Sequence, residues 1–161
     1  MDAYVLDTSA ILAGTPPSPS LGTLYIPEGV LGEIAIEGPT RRALDFLIEA
    51  GAKVVQAPAG ALRQAREAAQ ATGDLPRMSE VDLTVLALGL ERKATLLTDD
   101  YRIQNVARRL GIPFRAMAQR GITEERHHAW VYRCAGCKRV YPTARPDCDV
   151  CGSIVKQVRA R

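Results

Sequence analysis

The chain has 161 residues, 47% of them hydrophobic, with 21 Lys and Arg against 18 Asp and Glu. That length suits one ordinary domain plus a small appendage, and about 120 residues suffice to bury a single core. No run approaches the ~20 consecutive apolar residues of a membrane span, and the N-terminus lacks a signal-peptide pattern, so a cytoplasmic protein is expected. Charge is uneven along the chain. Residues 1–120 carry 13 basic and 14 acidic side chains, a net of −1; residues 121–161 carry 8 and 4, a net of +4. Four thiolates on one Zn²⁺ would add −2 and leave the tail at about +2, consistent with a polyanionic partner.

Tyr4-Val5-Leu6 reads as a short strand that stops at Asp7-Thr8-Ser9. A short helix comes next at residues 9–13, then a Pro-rich loop at 14–20, because three prolines break any ladder. Residues 24–27 read as a strand and 28–36 as a helix, with Val30, Leu31 and Ile34 on one face and Gly38-Pro39 as its stop. Thr40 is placed as the cap of the next helix, where Ala43, Leu44, Leu47 and Ile48 recur at helical spacing; Gly51 ends it, and residues 53–56 form a strand. An Ala-rich helix spans 59–72, with a break at Gly73-Asp74-Leu75-Pro76. Ser79 opens a helix that is apolar nearly all round and therefore buried. Residues 94–98 form a strand, 101–110 a helix ended by Gly111, and 112–117 a last strand. Strands separated by helices argue an α/β fold with a parallel sheet. Residues 118–129 are polar and without period and are read as a linker, which sets the domains at 1–117 and 130–161.

In an open α/β sheet, ligands bind beyond the carboxyl ends of the strands. Asp7 and the pair Asp99-Asp100 end two such strands, and neighbouring strands lie only ~5 Å apart. Glu33 and Asp82 are the other acids at a helix face or strand end. Each also has a plain structural reading. Asp7, Asp99 and Asp100 could be helix N-caps, Asp82 completes a Ser79-x-x-Asp82 capping box, and Glu33 could be a solvated helix residue. Acids crowded at one rim raise one another's pKa unless a cation sits among them, and Mg²⁺ or Mn²⁺ suits an all-oxygen set. Residues 1–120 contain no His or Cys, so water activated by such an ion is the expected nucleophile. No Gly-x-x-x-x-Gly-Lys loop is present, which argues against a nucleotide cofactor.

Cys134-Ala-Gly-Cys137 and Cys148-Asp-Val-Cys151 are separated by ten residues, the spacing of two knuckles closing one tetrahedral Zn²⁺ site. Gly136 and Gly152 suit turns with positive φ. Iron or two disulfides are the alternatives. A site closed by four thiolates serves folding and not catalysis. Arg133, Lys138, Arg139, Arg145, Lys156, Arg159 and Arg161 could then contact RNA phosphates, and Trp130, Tyr132 and Tyr141 either stack on bases or form the ribbon's small core. His127 and His128 are linker residues on this reading.

Val5-Leu6-Asp7-Thr8-Ser9, Glu33, Ser79-x-x-Asp82 and Leu97-Thr98-Asp99-Asp100 together resemble the acidic motifs of PIN-domain ribonucleases, over residues 1 to about 117. The resemblance implies a parallel sheet flanked by helices and a divalent-metal site for RNA hydrolysis. It implies Asp7, Glu33, Asp82 and Asp100 as metal acids, with Asp99 as an extra acid beside Asp100, and Ser9 and Thr98 as polar supports. Thr98-Asp99-Asp100-Tyr101-x-Ile103-Gln104-Asn105-Val106-Ala107, followed by a four-cysteine ribbon, resembles the Nob family of ribosome-maturation endonucleases in its compact archaeal form. That implies cleavage of precursor small-subunit rRNA at its 3′ end and the pre-ribosomal small subunit as partner. Asn105, the chain's single asparagine, could also be a plain surface helix residue. A noncatalytic RNA-binding assembly factor and a PIN-type toxin nuclease are the other readings; the appended ribbon is foreign to the usual toxin plan.

Overall fold

A computed structural model describes residues 1–13, 16–118 and 127–160. The chain divides into two compact units, Met1–Arg126 and His127–Arg161. Most of the expected linker (119–126), Gly14 and Thr15 of the Pro-rich loop, and Arg161 lie outside the described residues.

Unit one is built on a five-stranded, all-parallel sheet in the order β3-β2-β1-β4-β5. The strands are β1 (Ala3–Leu6), β2 (Thr23–Pro27), β3 (Lys53–Val55), β4 (Thr95–Leu97) and β5 (Phe114–Arg115). Helices α1 (Thr8–Leu12), α2 (Glu28–Glu33), α3 (Pro39–Glu49), α4 (Ala59–Thr72), α5 (Glu80–Arg92) and α6 (Tyr101–Leu110) cover the two faces. Strand alternation sorts the core into two layers, because successive side chains point to opposite faces. Val5, Leu96 and Tyr25 pack with α4, α5 and α6. Tyr4, Leu6, Leu24, Ile26 and Leu97 pack with α1, α2 and α3. In α5, six consecutive residues but one (Leu83, Val85, Leu86, Ala87, Leu88) are at most 1% exposed, as its all-round apolar pattern demands. Two glycines let helices approach: a Cβ on Gly29 of α2 would lie 2.7 Å from Val81 of α5, and one on Gly89 would lie 2.5 Å from Leu96 of β4.

Several boundaries differ from expectation for local reasons. Helix α2 stops at Glu33, where Ile34 turns extended, and does not reach residue 36. Gly38-Pro39 does not merely stop α2 but opens α3. Gly38 is the N-cap, and Pro39 sits at the first turn, where its missing N–H costs nothing. Thr40 is therefore inside the helix, not its cap. The final strand shrinks to Phe114–Arg115, because pairing exists only with β4. Gly73 and Gly111 end α4 and α6 in left-handed conformation, as C-terminal glycines do.

Unit two is a three-stranded antiparallel sheet, β7-β6-β8, from β6 (Trp130–Cys134), β7 (Val140–Tyr141) and β8 (Val155–Arg159). Its core is Cys134, Tyr141 and Cys148, with Tyr132 and Val155 packed against them. No helix among the described residues is long and apolar enough to cross a membrane.

Candidate active site and metal centre

The strand order reverses direction between β1 and β4, the place where an open α/β sheet forms its ligand crevice. Leu6 of β1 pairs with Leu97 of β4, so the next residues, Asp7 and Thr98, leave the sheet side by side. The N–H of Asp7 still reaches the carbonyl of Leu97 at 3.1 Å.

Asp7 occupies the N-cap position of α1, yet its side chain makes no capping bond. Instead its Oδ2 accepts from Ser9 Oγ at 2.7 Å and from Thr98 Oγ1 at 2.8 Å. Each hydroxyl is in turn an acceptor: Ser9 Oγ takes the N–H of Asp99 at 3.0 Å, and Thr98 Oγ1 takes the N–H of Asp100 at 3.1 Å. With an amide proton arriving at each oxygen, each hydroxyl proton is directed onto Asp7. Asp7 is only 4% exposed, and its Oδ1 accepts no hydrogen bond among the described residues. A buried carboxylate with one oxygen anchored keeps the other able to accept a ligand. Gln104 donates to the carbonyl of Thr98 at 2.9 Å and so fixes the end of β4.

Asp82 does close the capping box of α5: its Oδ2 accepts from the Ser79 N–H at 2.7 Å, and its own N–H donates to Ser79 Oγ at 3.1 Å. This does not remove it from the site. Burial, and then the charges of Asp100 and Asp7, push its carboxyl above the usual range. Asp82 thus feels the charges of both other acids.

Asp100 is the N-cap of α6. Its Oδ1 accepts from the Arg102 N–H at 2.7 Å, and it forms an ion pair with Arg102 Nη2 at 2.9 Å. Asp99 has a different occupation. Its carboxylate accepts from the N–H groups of Met117 and Ala118 at 2.8–3.1 Å, tying down the chain after β5. Glu33, exposed at the end of α2, accepts from the hydroxyl of Thr8, the residue after Asp7.

The ligand atoms of the acids do not crowd together. Among the described residues, the set of metal-ligating atoms all within 4.8 Å of one another is that of the four cysteines. An oxygen site that keeps several waters needs no such closure. Asp7, Asp82 and Asp100 are all hard oxygen donors, and the repulsion that Asp100 and Asp7 exert on Asp82 is the kind a divalent cation relieves.

Asn105 is 2% exposed, so the surface reading of it is wrong. It donates to Asp74 Oδ2 at 2.7 Å, which also accepts from Thr72 Oγ1 at 2.7 Å. This buried network locks α6 to the end of α4. Sequence reasoning misses Asp74, Gln104 and Arg102. The apolar spacing of α6 places residues 104 and 105 beside Ile103 and Val106, and a Gln-Asn pair in that buried stretch is the signal that could have found Gln104, on the Thr98 carbonyl, and Asn105, in the network.

In unit two the cysteines are free thiols, with Cys134 Sγ 3.4 Å from Cys151 Sγ and Cys137 Sγ 3.6 Å from Cys148 Sγ. A tetrahedron of Zn–S bonds of ~2.3 Å has edges of about 3.8 Å, so the set could hold zinc and does not form disulfides. The Ser153 hydroxyl and N–H hold the Cys151 thiol down at about 6, and the Tyr141 hydroxyl lowers that of Cys148. Both favour thiolates at those two positions, whereas at Cys137 the bond from the Arg139 backbone is outweighed by the Cys148 thiol and burial, which push it up to about 11. The expectation of positive φ at Gly136 is corrected. The left-handed residues are Lys138 (66°) and Gly152 (72°), each directly after the second cysteine of its pair. Gly136 is required for space, since a Cβ there would lie 2.5 Å from Ser153 Oγ and 3.2 Å from Cys151 Sγ. Tyr141 is 8% exposed and bonds Cys148 Sγ at 3.0 Å and Asp149 at 2.5 Å, so it is core and not a stacking platform. The Arg145 guanidinium lies over its ring at 4.5 Å and 3.5 Å from Asp149.

The family model described as the PIN domain of ribonuclease matches residues 4–91. "Ribonuclease VapC1" of Thermoplasma acidophilum is 41% identical over 96% of this chain and 77% of its own. "Endoribonuclease Nob1" of Pyrococcus abyssi is 39% identical over 98% of this chain and 94% of its own. The protein of the same name from Archaeoglobus fulgidus is 36% identical over 99% and 93%. The matched segment holds β1, Asp7, Glu33 and Asp82, and the Nob1 relatives extend the likeness through the cysteine knuckles: this chain belongs to the PIN-domain ribonucleases, which are metal-dependent endoribonucleases.

Proposed function

We propose that this protein cleaves precursor small-subunit rRNA at its 3′ end during ribosome maturation. The observation that carries the nuclease reading is the state of Asp7: buried, anchored through one oxygen by Ser9 and Thr98, with the other accepting no hydrogen bond among the described residues and its charge felt by Asp82. The specific substrate is supported by relatives named Nob1 over nearly the whole chain and by the cysteine ribbon. Asp7 and Asp82 would hold Mg²⁺ or Mn²⁺, with Asp100 as a third charge felt by Asp82 and Glu33 tied through its bond to Thr8 to the residue after Asp7. Such an ion lowers the pKa of water and neutralises charge on a scissile phosphate. The chain's own part is positioning. Ser9 and Thr98 orient Asp7, Gln104 fixes Thr98, and the capping box fixes Asp82. Asp99 serves the backbone after β5 and acts as a support for the site. Zinc on Cys134, Cys137, Cys148 and Cys151 would fold the ribbon, whose Arg133 and Lys156 stand directly opposite each other on β6 and β8. Like charges so paired repel, and an RNA phosphate relieves that repulsion.

A fragment of precursor rRNA spanning the mature 3′ end tests this. The wild type with Mn²⁺ cuts it at one position, and Asp7→Asn binds it without cutting. Relatives named VapC favour a second reading, a ribonuclease of other RNAs. Equal cutting of unrelated structured RNAs, with no preference for the 3′ end, would select that reading. Equal cleavage by Asp7→Asn would remove both.

A further inference from the structure

Arg102 falls at the unspecified position of the Thr98-to-Ala107 stretch, and none of the roles above uses its side chain. Its contacts are nevertheless specific. Nε meets Asp100 Oδ1 at 3.2 Å, Nη2 meets Asp100 Oδ2 at 2.9 Å, and Nη1 meets the Arg77 carbonyl at 2.6 Å. The guanidinium is thus a two-pronged clamp on Asp100, held in place by a third bond to the turn before α5. The acids differ accordingly. Asp7 and Asp82 each keep one oxygen that accepts no hydrogen bond among the described residues, whereas both oxygens of Asp100 are engaged by Arg102. A guanidinium does not lose its proton in a protein, so this positive charge is permanent. Its charge also interacts with Asp82 and Asp74, which puts it within the field of the cluster and not outside it.

We propose that Arg102 takes the place of a second divalent ion, so that the site holds a single ion, on Asp7 and Asp82, with Asp100 neutralised by the clamp. This rests on the acid cluster being a metal site. A second ion approaching Asp100 has to displace a bidentate, anchored guanidinium and stand beside its charge. The clamp uses three of the five N–H donors of Arg102, and the side chain is 45% exposed, so two donors remain for a phosphate oxygen of the RNA. Arg102 is here a positioning residue for Asp100.

The test counts ions on the full-length, zinc-loaded protein by the loss of free Mn²⁺ signal in electron paramagnetic resonance. Wild type takes up one equivalent. Arg102→Gln, shown to be folded by its thermal melt, takes up two, and Arg102→Lys, which keeps the charge without the fork, stays near one. Asp7→Asn loses the single equivalent. Two equivalents on the wild type, or one on a folded Arg102→Gln, overturns the proposal while leaving the metal site intact. No uptake by any form overturns the metal-site reading and this inference with it. The wild-type count stands as a test even if a variant fails to fold.

Discussion

Thr98→Val isolates what organises the acids. The substitution keeps the shape of a side chain that is fully buried and removes its hydroxyl. Two interactions go: the 2.8 Å donation to Asp7 Oδ2 and the 3.1 Å acceptance from the Asp100 N–H. A hydrogen bond to a charged group contributes about 1.5–3 kcal/mol, and a buried carboxylate facing a methyl group loses that in full. Ser9 still holds Asp7 at 2.7 Å, so the charge is not wholly orphaned. We therefore expect a loss of about 3 kcal/mol, or roughly 6–12 °C in Tm at ~2–4 °C per kcal/mol for a chain of this size. Removing a partner that orients a metal-binding carboxylate lowers metal affinity about 10–100-fold. Ser9→Ala, at a half-buried position that water can reach, should lose less on both counts. The assays are a thermal melt of the zinc-loaded protein without Mn²⁺, and a Mn²⁺ titration. Wild-type Mn²⁺ affinity in Thr98→Val, or a larger loss in Ser9→Ala, would refute the view that Thr98 sets the orientation of Asp7.

Asp82→Asn should make the Mn²⁺-free protein more stable at pH 7 while abolishing cleavage. The folded-state carboxyl is raised by burial and by Asp100 and Asp7, so folding favours its protonated form, and stability falls as pH rises through the window just above 3.8. The amide cannot ionise, and the Tm gap over wild type, clear at pH 7, should narrow toward pH 4; a lower Tm at pH 7 contradicts the reasoning. Gly89→Ala should destabilise by about 1–3 kcal/mol, because its Cβ would stand 2.5 Å from Leu96 Cδ2 and 3.1 Å from Ile112 Cγ2 in a packed core; an unchanged melt would show that the α5–β4 contact is loose. Gly136→Ala should weaken zinc retention in a chelator competition, since its Cβ meets Ser153 and Cys151 within the knuckle, whereas Gly152→Ala should act through its φ of 72° alone, having no neighbour within 4 Å. Equal retention by Gly136→Ala and wild type would contradict the spatial role given to that glycine.

Elements with punctuation at both ends are legible in the sequence. α5 has Ser79 and Asp82 at its start, and α4 and α6 each end at a glycine in the left-handed conformation that only a stop requires. β5 is legible as a strand but not in its bounds, because two residues paired with β4 and nothing beyond leave no periodicity to mark its ends. Pro39 reads as a stop and is a start: a proline breaks the helix on its N-terminal side and suits the first turn of one on its C-terminal side, and sequence alone does not say which governs. At the site, capping and metal binding look like rivals for Asp82, yet a carboxylate has two oxygens and the capping box uses one. For Asp7 the rivalry dissolves differently, since the residue holds the cap position but its side chain serves Ser9 and Thr98. Separating Asp99 from Asp100 needs coordinates, because the two neighbours find their partners 18 residues apart in one case and two in the other. Arg102 is invisible in the same way. Its role depends on a carbonyl 25 residues earlier in the chain.

Asp7 and Asp82 are the acids proposed to receive one divalent ion at the carboxyl end of β1, and every functional step above depends on that. A crystal of the full chain soaked in Mn²⁺ and measured at the manganese absorption edge tests it most directly. The expected result is an anomalous peak at bonding distance, about 2.1–2.2 Å, from Asp7 Oδ1 and from a carboxylate oxygen of Asp82, with Ser9 and Thr98 still on Asp7 Oδ2. A clean map at that position under saturating Mn²⁺, or a peak bound to Asp99 and Asp100 with Asp7 left aside, would contradict it.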